Sequence, residues 1–363
     1  MDTLNGTITH QFGRAYTGQG VKHIYNELIG EARKVYFIKS PPTFRLSELF
    51  RQVGFHYLKR GYDIEWFHDP LHADVLEAVY IKGNRTLFLQ AAHPLSFEPK
   101  YYGSTHQVIS FYEAYDDAKL KEHGGFLREK TIHSEQWLAK MLQTMTKAKE
   151  IHDEWEQPYI VGMDWQAFDQ QAEELFENVF SSFNFNKEAL KTHRLMGTIT
   201  PEGAKDHFAS LTKGVKRRIF IKGYPGSGKS TMMKRFAAKA ESVGLNTQLG
   251  WCGLDCNSID YVYLPELQTI LFDSTSPHEY EPERSGDEIF DVRKFRELNE
   301  EEQIFVNQVK ERYQEEIRVA TEYLQVFSTD EETIRETMDM CVNNYKWREI
   351  EDSVYQMIEN ITI

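Results

Sequence analysis

Nine consecutive residues, Gly223-Tyr-Pro-Gly-Ser-Gly-Lys-Ser-Thr231, carry the spacing G-x-x-x-x-G-K-S. Glycines in such a run let successive backbone amides face one point, and the helix that follows adds the partial positive charge of its N-terminus there. That point is a phosphate site. In this pattern Lys229 reaches the β- and γ-phosphates of ATP or GTP, and the Ser230 hydroxyl ligates the Mg²⁺ that bridges them. Gly223, Tyr224, Pro225, Gly226, Ser227, Gly228 and Thr231 complete the cradle. The chemistry also asks for a carboxylate at the end of a neighbouring strand to hold the metal. Asp273, closing Thr269-Ile-Leu-Phe-Asp, has that position, or else caps the Ser-Thr-Ser turn behind it. Asp255 and Asp260 follow the second strand, over 247–250, and should emerge on the same sheet edge as the loop. Either one is a base or a substrate contact, or an N-cap of a short helix at Ser258. His278 is a weaker site candidate, and Cys252 and Cys256 lack the second pair that a zinc site requires.

The elements that must position this loop occur twice. Thr9-His-Gln-Phe lies over Thr192-His-Arg-Leu at an offset of 183, and the register holds to Glu98-Pro99 over Glu281-Pro282. Such internal similarity is the mark of a duplicated unit. In the second copy, apolar periodicity predicts a strand over 218–222, a helix over 229–243 ended by Gly244, and strands over 247–250, 261–264, 269–273 and 288–292. The first copy answers with strands at 35–39, 64–67, 79–81, 86–89 and 107–111 and a helix over 46–59. Strand and helix in alternation imply a largely parallel sheet flanked by helices.

The first copy has lost the chemistry. Gly223, Gly226, Gly228, Lys229 and Asp273 fall on Ser40, Thr43, Arg45, Leu46 and Gln90, and only Pro42 and Ser47 survive of the loop. A leucine at the lysine position cannot neutralise a phosphate.

Both copies lead into long helices. Val306, Val309, Tyr313, Ile317, Ala320, Leu324 and Phe327 form a stripe suited to an antiparallel hairpin. Ser328-Thr-Asp-Glu331 has capping-box spacing and is expected to start the return helix. The first copy offers Trp137, Met141, Leu142, Met145 and Ala148, then Phe168, Leu175, Phe176 and Val179. These stripes pack the arms or present a surface to a protein partner.

Composition narrows the function further. Acidic residues outnumber basic ones 56 to 42 for a net charge of -14, which argues against coating nucleic acid or an anionic membrane. The 40% hydrophobic content excludes a disordered chain. Three cysteines form no disulfide framework, no apolar run has the length of a membrane span, and the N-terminal residues lack the pattern of a signal peptide. The expected location is the cytoplasm.

The second half resembles a bacterial family of tandem P-loop ATPase-like proteins, two P-loop NTPase-like halves each followed by helices. The residues that carry the likeness are Thr198-Ile-Thr-Pro-Glu-Gly203, Phe220 to Thr231, Cys252-Gly-Leu-Asp-Cys-Asn-Ser-Ile-Asp260, Leu264-Pro-Glu-Leu267 and Phe272-Asp-Ser-Thr-Ser-Pro-His-Glu-Tyr280. The likeness spans nearly the whole chain. It implies nucleotide binding with hydrolysis or phosphoryl transfer, and an intact loop in the first half from which Ser40 to Ser47 depart. The expected architecture is therefore α/β: a degenerate P-loop domain over 1–115, a helical hairpin over 116–190, an active P-loop domain over 191–298 and a second hairpin over 299–363. The expected function is a Mg-ATP-dependent ATPase or small-molecule kinase, with Lys229, Asp273 and Asp255 as catalytic groups. The alternative is a nucleotide-dependent regulator that binds a protein through its arms.

Overall fold

The computed structural model describes residues 6–93, 95–276 and 279–359. His278, singled out above, lies outside them. The first copy contains β1 (Ile8–Phe12), β2 (Arg14–Thr17), β3 (Gly20–His23), α1 (Tyr25–Glu31), β4 (Lys34–Lys39), α2 (Arg45–Lys59), β5 (Ile64–Asp69), β6 (His72–Ile81), β7 (Thr86–Gln90), β8 (His106–Ser110), α3 (Asp117–Gly162) and α4 (Trp165–Phe180). The second contains β9 (Lys191–Leu195), β10 (Gly197–Thr200), β11 (Gly203–Asp206), α5 (Phe208–Leu211), β12 (Arg217–Lys222), α6 (Lys229–Ser242), β13 (Thr247–Trp251), β14 (Ile259–Leu264), β15 (Thr269–Asp273), β16 (Asp287–Asp291), α7 (Glu300–Met340) and α8 (Asn344–Glu359).

The two copies order their strands alike. One runs β8-β4-β7-β6-β5-β1, the other β16-β12-β15-β14-β13-β9. This is an α/β fold with a mixed sheet in which parallel pairings outnumber antiparallel ones. β12 runs parallel to both β15 and β16, and β13 parallel to β9, but β14 is antiparallel to both its neighbours. The reason lies in the connections. No helix separates β13 from β14 or β14 from β15, and a short link can only reverse the chain. The paired hairpins β2-β3 and β10-β11 and the strands β1 and β9 are elements that hydropathy alone did not announce.

The chain divides into two compact units, one of Met1–Arg14, Tyr25–Lys140 and Glu322–Ile363, the other of Ala15–Ile24 and Met141–Thr321. Each therefore holds segments of both copies. In the first unit, α8 and the end of α7 close the core of the first copy: Met338, Cys341, Trp347, Val354 and Ile358 pack with Leu46, Leu49, Phe50 and Val53 of α2. In the second unit, α4 does the same for the second copy, with Phe168, Phe176 and Phe180 against Met232, Met233 and Phe236 of α6. Each such buried aromatic contributes about 1.5–3 kcal/mol of apolar burial.

The long helices pair with each other. Within the second unit, Arg312 Nη1 lies 3.0 Å from the Glu154 carboxylate and Lys147 bonds Glu316. Within the first, Lys130 Nζ donates to Asp330 at 2.8 Å and Ser134 Oγ to Glu331 at 2.5 Å. Lys119 Nζ on the Met340 carbonyl and Lys130 on Asp330 in the first unit, and Lys147 on Glu316 and Glu154 on Arg312 in the second, set rising numbers on α3 against falling numbers on α7, so the pair is antiparallel. The expected return helix at Ser328 is corrected here, because α7 continues to Met340. The capping-box side chains are spent elsewhere: Ser328 donates to the Leu71 carbonyl, and Asp330 and Glu331 bond α3. The return begins at α8, where Asn343 Oδ1 accepts from the backbone N–H groups of Tyr345 and Lys346.

Candidate functional site

The loop between β12 and α6 is built by backbone conformations that only glycine adopts without strain. Gly226 and Gly228 have φ of 73° and 83°, and Gly228 stands directly before the first turn of α6. A Cβ on Gly223 would approach Ser227 Oγ to 2.8 Å and Lys229 Cδ to 3.2 Å, so a side chain here would displace the loop's own side chains. The Ser227 hydroxyl donates back to the Tyr224 carbonyl at 2.6 Å and closes the loop on itself.

Lys229 is buried, and its ammonium group donates to the carbonyls of Gly223 at 3.0 Å and Tyr224 at 2.7 Å. Its Nζ lies 3.6 Å from Asp273 Oδ2. The sheet makes this meeting possible: β12 and β15 are parallel neighbours with Ile221 opposite Asp273, so the strand leading into the loop and the strand ending in the carboxylate finish together. Asp273 also accepts from Thr275 N at 3.1 Å and Thr275 Oγ1 at 2.5 Å, so it caps its turn as well as facing the lysine. Ser230 Oγ accepts from Ile259 N at 3.1 Å, which fixes the hydroxyl at the start of α6. A hydroxyl and a carboxylate are hard oxygen donors of the kind that Mg²⁺ prefers.

Asp255 sits in the β13-β14 connection, and no helix follows it. Its carboxylate accepts from Asn257 N at 2.9 Å, Ser258 Oγ at 3.0 Å and Gln19 Nε2 at 3.0 Å, with Lys149 Nζ at 3.9 Å. Burial alone would raise its pKa, but these donors and Lys149 outweigh it and the carboxyl stays below its ordinary range. Asp260 is buried on β14. Cys252 is unbridged, and burial, reinforced by the Asp260 charge, pushes its thiol well above the usual range, so it is no thiolate.

Helix α3 supplies a set of residues that spacing did not reveal. Its backbone lies on the apex of the loop: a Cβ on Gly226 would be 2.6 Å from the Glu156 carbonyl oxygen. One turn on, Tyr159 stacks on Tyr224 with ring centroids 4.6 Å apart. Trp165 of α4 closes on Gly228. Two turns before Glu156, Lys149 bonds Asp153, and burial works against its charge less than Asp153 and Asp255 support it, so its pKa is raised. Burial lowers the His152 pKa to about 4, with Lys149 adding to the effect, and raises that of Glu156. His152, Asp153 and Glu156 bring one ligand atom each within 4.8 Å of one another. Lys149 pairs with Asp153, so these residues form a cluster of interacting charges beside the loop. The signal that could have pointed to α3 was the repeat itself, since Glu156 and Asp339 are acidic at the same offset.

The corresponding corner of the first unit is filled in. Leu46 is fully buried in the apolar core. Arg14 Nη2 reaches Asp69 Oδ1 at 2.7 Å, Arg14 Nε reaches Glu77 Oε1 at 2.7 Å, and Arg335 Nη2 reaches Asp69 Oδ2 at 2.6 Å, all of them buried. No family model, no curated protein and no solved structure matches the chain. No described helix is long and apolar enough to cross a membrane.

Proposed function

We propose that the second copy binds a nucleoside triphosphate with Mg²⁺, ATP or GTP, and hydrolyses it or transfers its γ-phosphoryl group. The chain then belongs among tandem P-loop NTPase-like proteins with one degenerate half, acting in the cytoplasm, where its unbridged thiols are chemically at home. The observation that carries this reading is the placement of the Lys229 ammonium inside a glycine loop at a helix N-terminus, 3.6 Å from a carboxylate on the adjacent parallel strand. Lys229 neutralises phosphate charge, the loop amides and helix terminus hold the phosphates, and Ser230 and Asp273 hold the metal. Bound there, Mg²⁺ would supply charge neutralisation to the phosphates. Phosphoryl transfer on such a frame relies on positioning and on charge stabilisation, both of which a rigid loop provides.

Nucleotide-dependent phosphate release tests the reading. Wild-type protein is expected to release phosphate from Mg-ATP or Mg-GTP, and Lys229→Ala to lose both release and binding. Equal affinity and turnover in the variant would remove the loop from the site. A switch that binds nucleotide and a protein partner with negligible turnover is favoured by one feature, the adjacent exposed Ile304 and Phe305 on α7. Binding without steady release would select it.

A further inference from the structure

Both copies bring an acidic residue of a long helix to the same place on the loop. In the first unit Asp339 of α7 takes a hydrogen bond from the Thr43 hydroxyl and another from Phe44 N at 3.3 Å, and Arg45 Nε lies 3.6 Å away. That carboxylate is the resident anion of the degenerate loop. At the same offset in the second unit stands Glu156 of α3, against Gly226, the counterpart of Thr43. The side chains that immobilise Asp339 are gone there, since Thr43 and Arg45 are replaced by Gly226 and Gly228. Glu156 keeps one close polar partner among the described residues, His152 Nδ1 at 3.5 Å, and lies in the fields of Lys149, Lys229, Asp153 and Asp255.

We propose that Glu156 is the catalytic base of the second-copy site, taking the proton from the oxygen nucleophile that attacks the γ-phosphorus. The proposal rests on the nucleotide reading above. A bond forms between the water or hydroxyl oxygen and phosphorus. The bond from phosphorus to the β-γ bridging oxygen breaks, its electron pair leaving with the nucleoside diphosphate. The nucleophile's proton passes to the Glu156 carboxylate and then to solvent. A base needs an available lone pair and a fixed position. Asp255 accepts three hydrogen bonds and pairs with Lys149, so its oxygens are engaged. Glu156 is instead held by a helix whose backbone touches the loop, and burial strengthens its hold on a proton.

The test compares Glu156→Gln, Glu156→Asp, Asp255→Asn and Lys229→Ala with the wild type, measuring Mg-ATP affinity by calorimetry and phosphate release in single turnover. Glu156→Gln is expected to bind Mg-ATP within about twofold of wild type and to release phosphate about 100-fold more slowly, the lower end of what a base contributes. Glu156→Asp should recover part of the rate, which a misfolded variant would not do, and Asp255→Asn should lose less than Glu156→Gln. Release by Glu156→Gln within threefold of wild type overturns the assignment. So does a gain in affinity and rate, which would show that the carboxylate competes with phosphate for the loop. A wild type that binds without any release overturns it too and leaves the binding site standing. Unchanged binding by Lys229→Ala overturns the nucleotide reading itself.

Discussion

Lys229 and Asp273 owe their meeting to two different kinds of information. The lysine was legible because the G-x-x-x-x-G-K-S spacing is a dense signature in a few adjacent residues. The aspartate was legible only as the end of a strand, and its pairing with Lys229 depended on β15 lying beside β12. Asp255 shows the limit of such reasoning, since a carboxylate after a strand reads alike whether it meets substrate or closes a turn, and the Asn257 and Ser258 contacts that distinguish the cases are unreadable from spacing. Replacing Asp273 with Asn keeps the cap on Thr275 N through its carbonyl oxygen but removes the charge that faces Lys229 and that the proposed metal needs. Steady-state turnover of Asp273→Asn is therefore expected to fall at least about tenfold, or ~1.4 kcal/mol of transition-state stabilisation, with an unchanged melting temperature. Wild-type rates would place the metal ligand elsewhere.

Elements with their own periodicity were the most readable. α6 spans Lys229–Ser242 and is followed by Gly244 with φ of 81°, where the sequence placed both. The course of α7 was not readable, because Ser328, Asp330 and Glu331 have cap spacing and their real partners lie on α3 and at Leu71, distant in sequence. The continuation of α7 has an energetic consequence in the first unit, where Arg335 meets Asp69 of β5. Burial alone would raise the Asp69 pKa, but Arg335 and then Arg14 outweigh it and hold the carboxyl well below the usual range. A depressed folded pKa stabilises at pH values above the unfolded value near 4, and that contribution is lost as the pH falls through the folded value. Arg335→Leu leaves a buried carboxylate with one of its two guanidinium partners. Chemical denaturation at neutral pH is expected to show a loss of about 3 kcal/mol, and the deficit should shrink below about pH 4. A loss under ~0.5 kcal/mol would mean that Asp69 does not depend on α7.

At the scale of the whole molecule, the duplication was visible in the sequence and the exchange of segments was not. The repeat is carried by identities such as Pro99 over Pro282, whereas the grouping of α8 with the first copy and of α4 with the second follows from where the long helices lead their ends. Each copy's final helix has an apolar face that would fit either core, so hydropathy could not choose between them. The same comparison of copies separates their loops. One loop keeps its glycines, its lysine and a carboxylate opposite them. The other has Leu46 in the core and Asp339 held on the loop by Thr43, Phe44 and Arg45. What is proposed for this chain is a single triphosphate site, in the second copy. Calorimetric titration of the wild-type protein with Mg-ATP, and with Mg-GTP in parallel, measures it directly. One equivalent bound per chain is the predicted result; two equivalents, or none with either nucleotide, would contradict it.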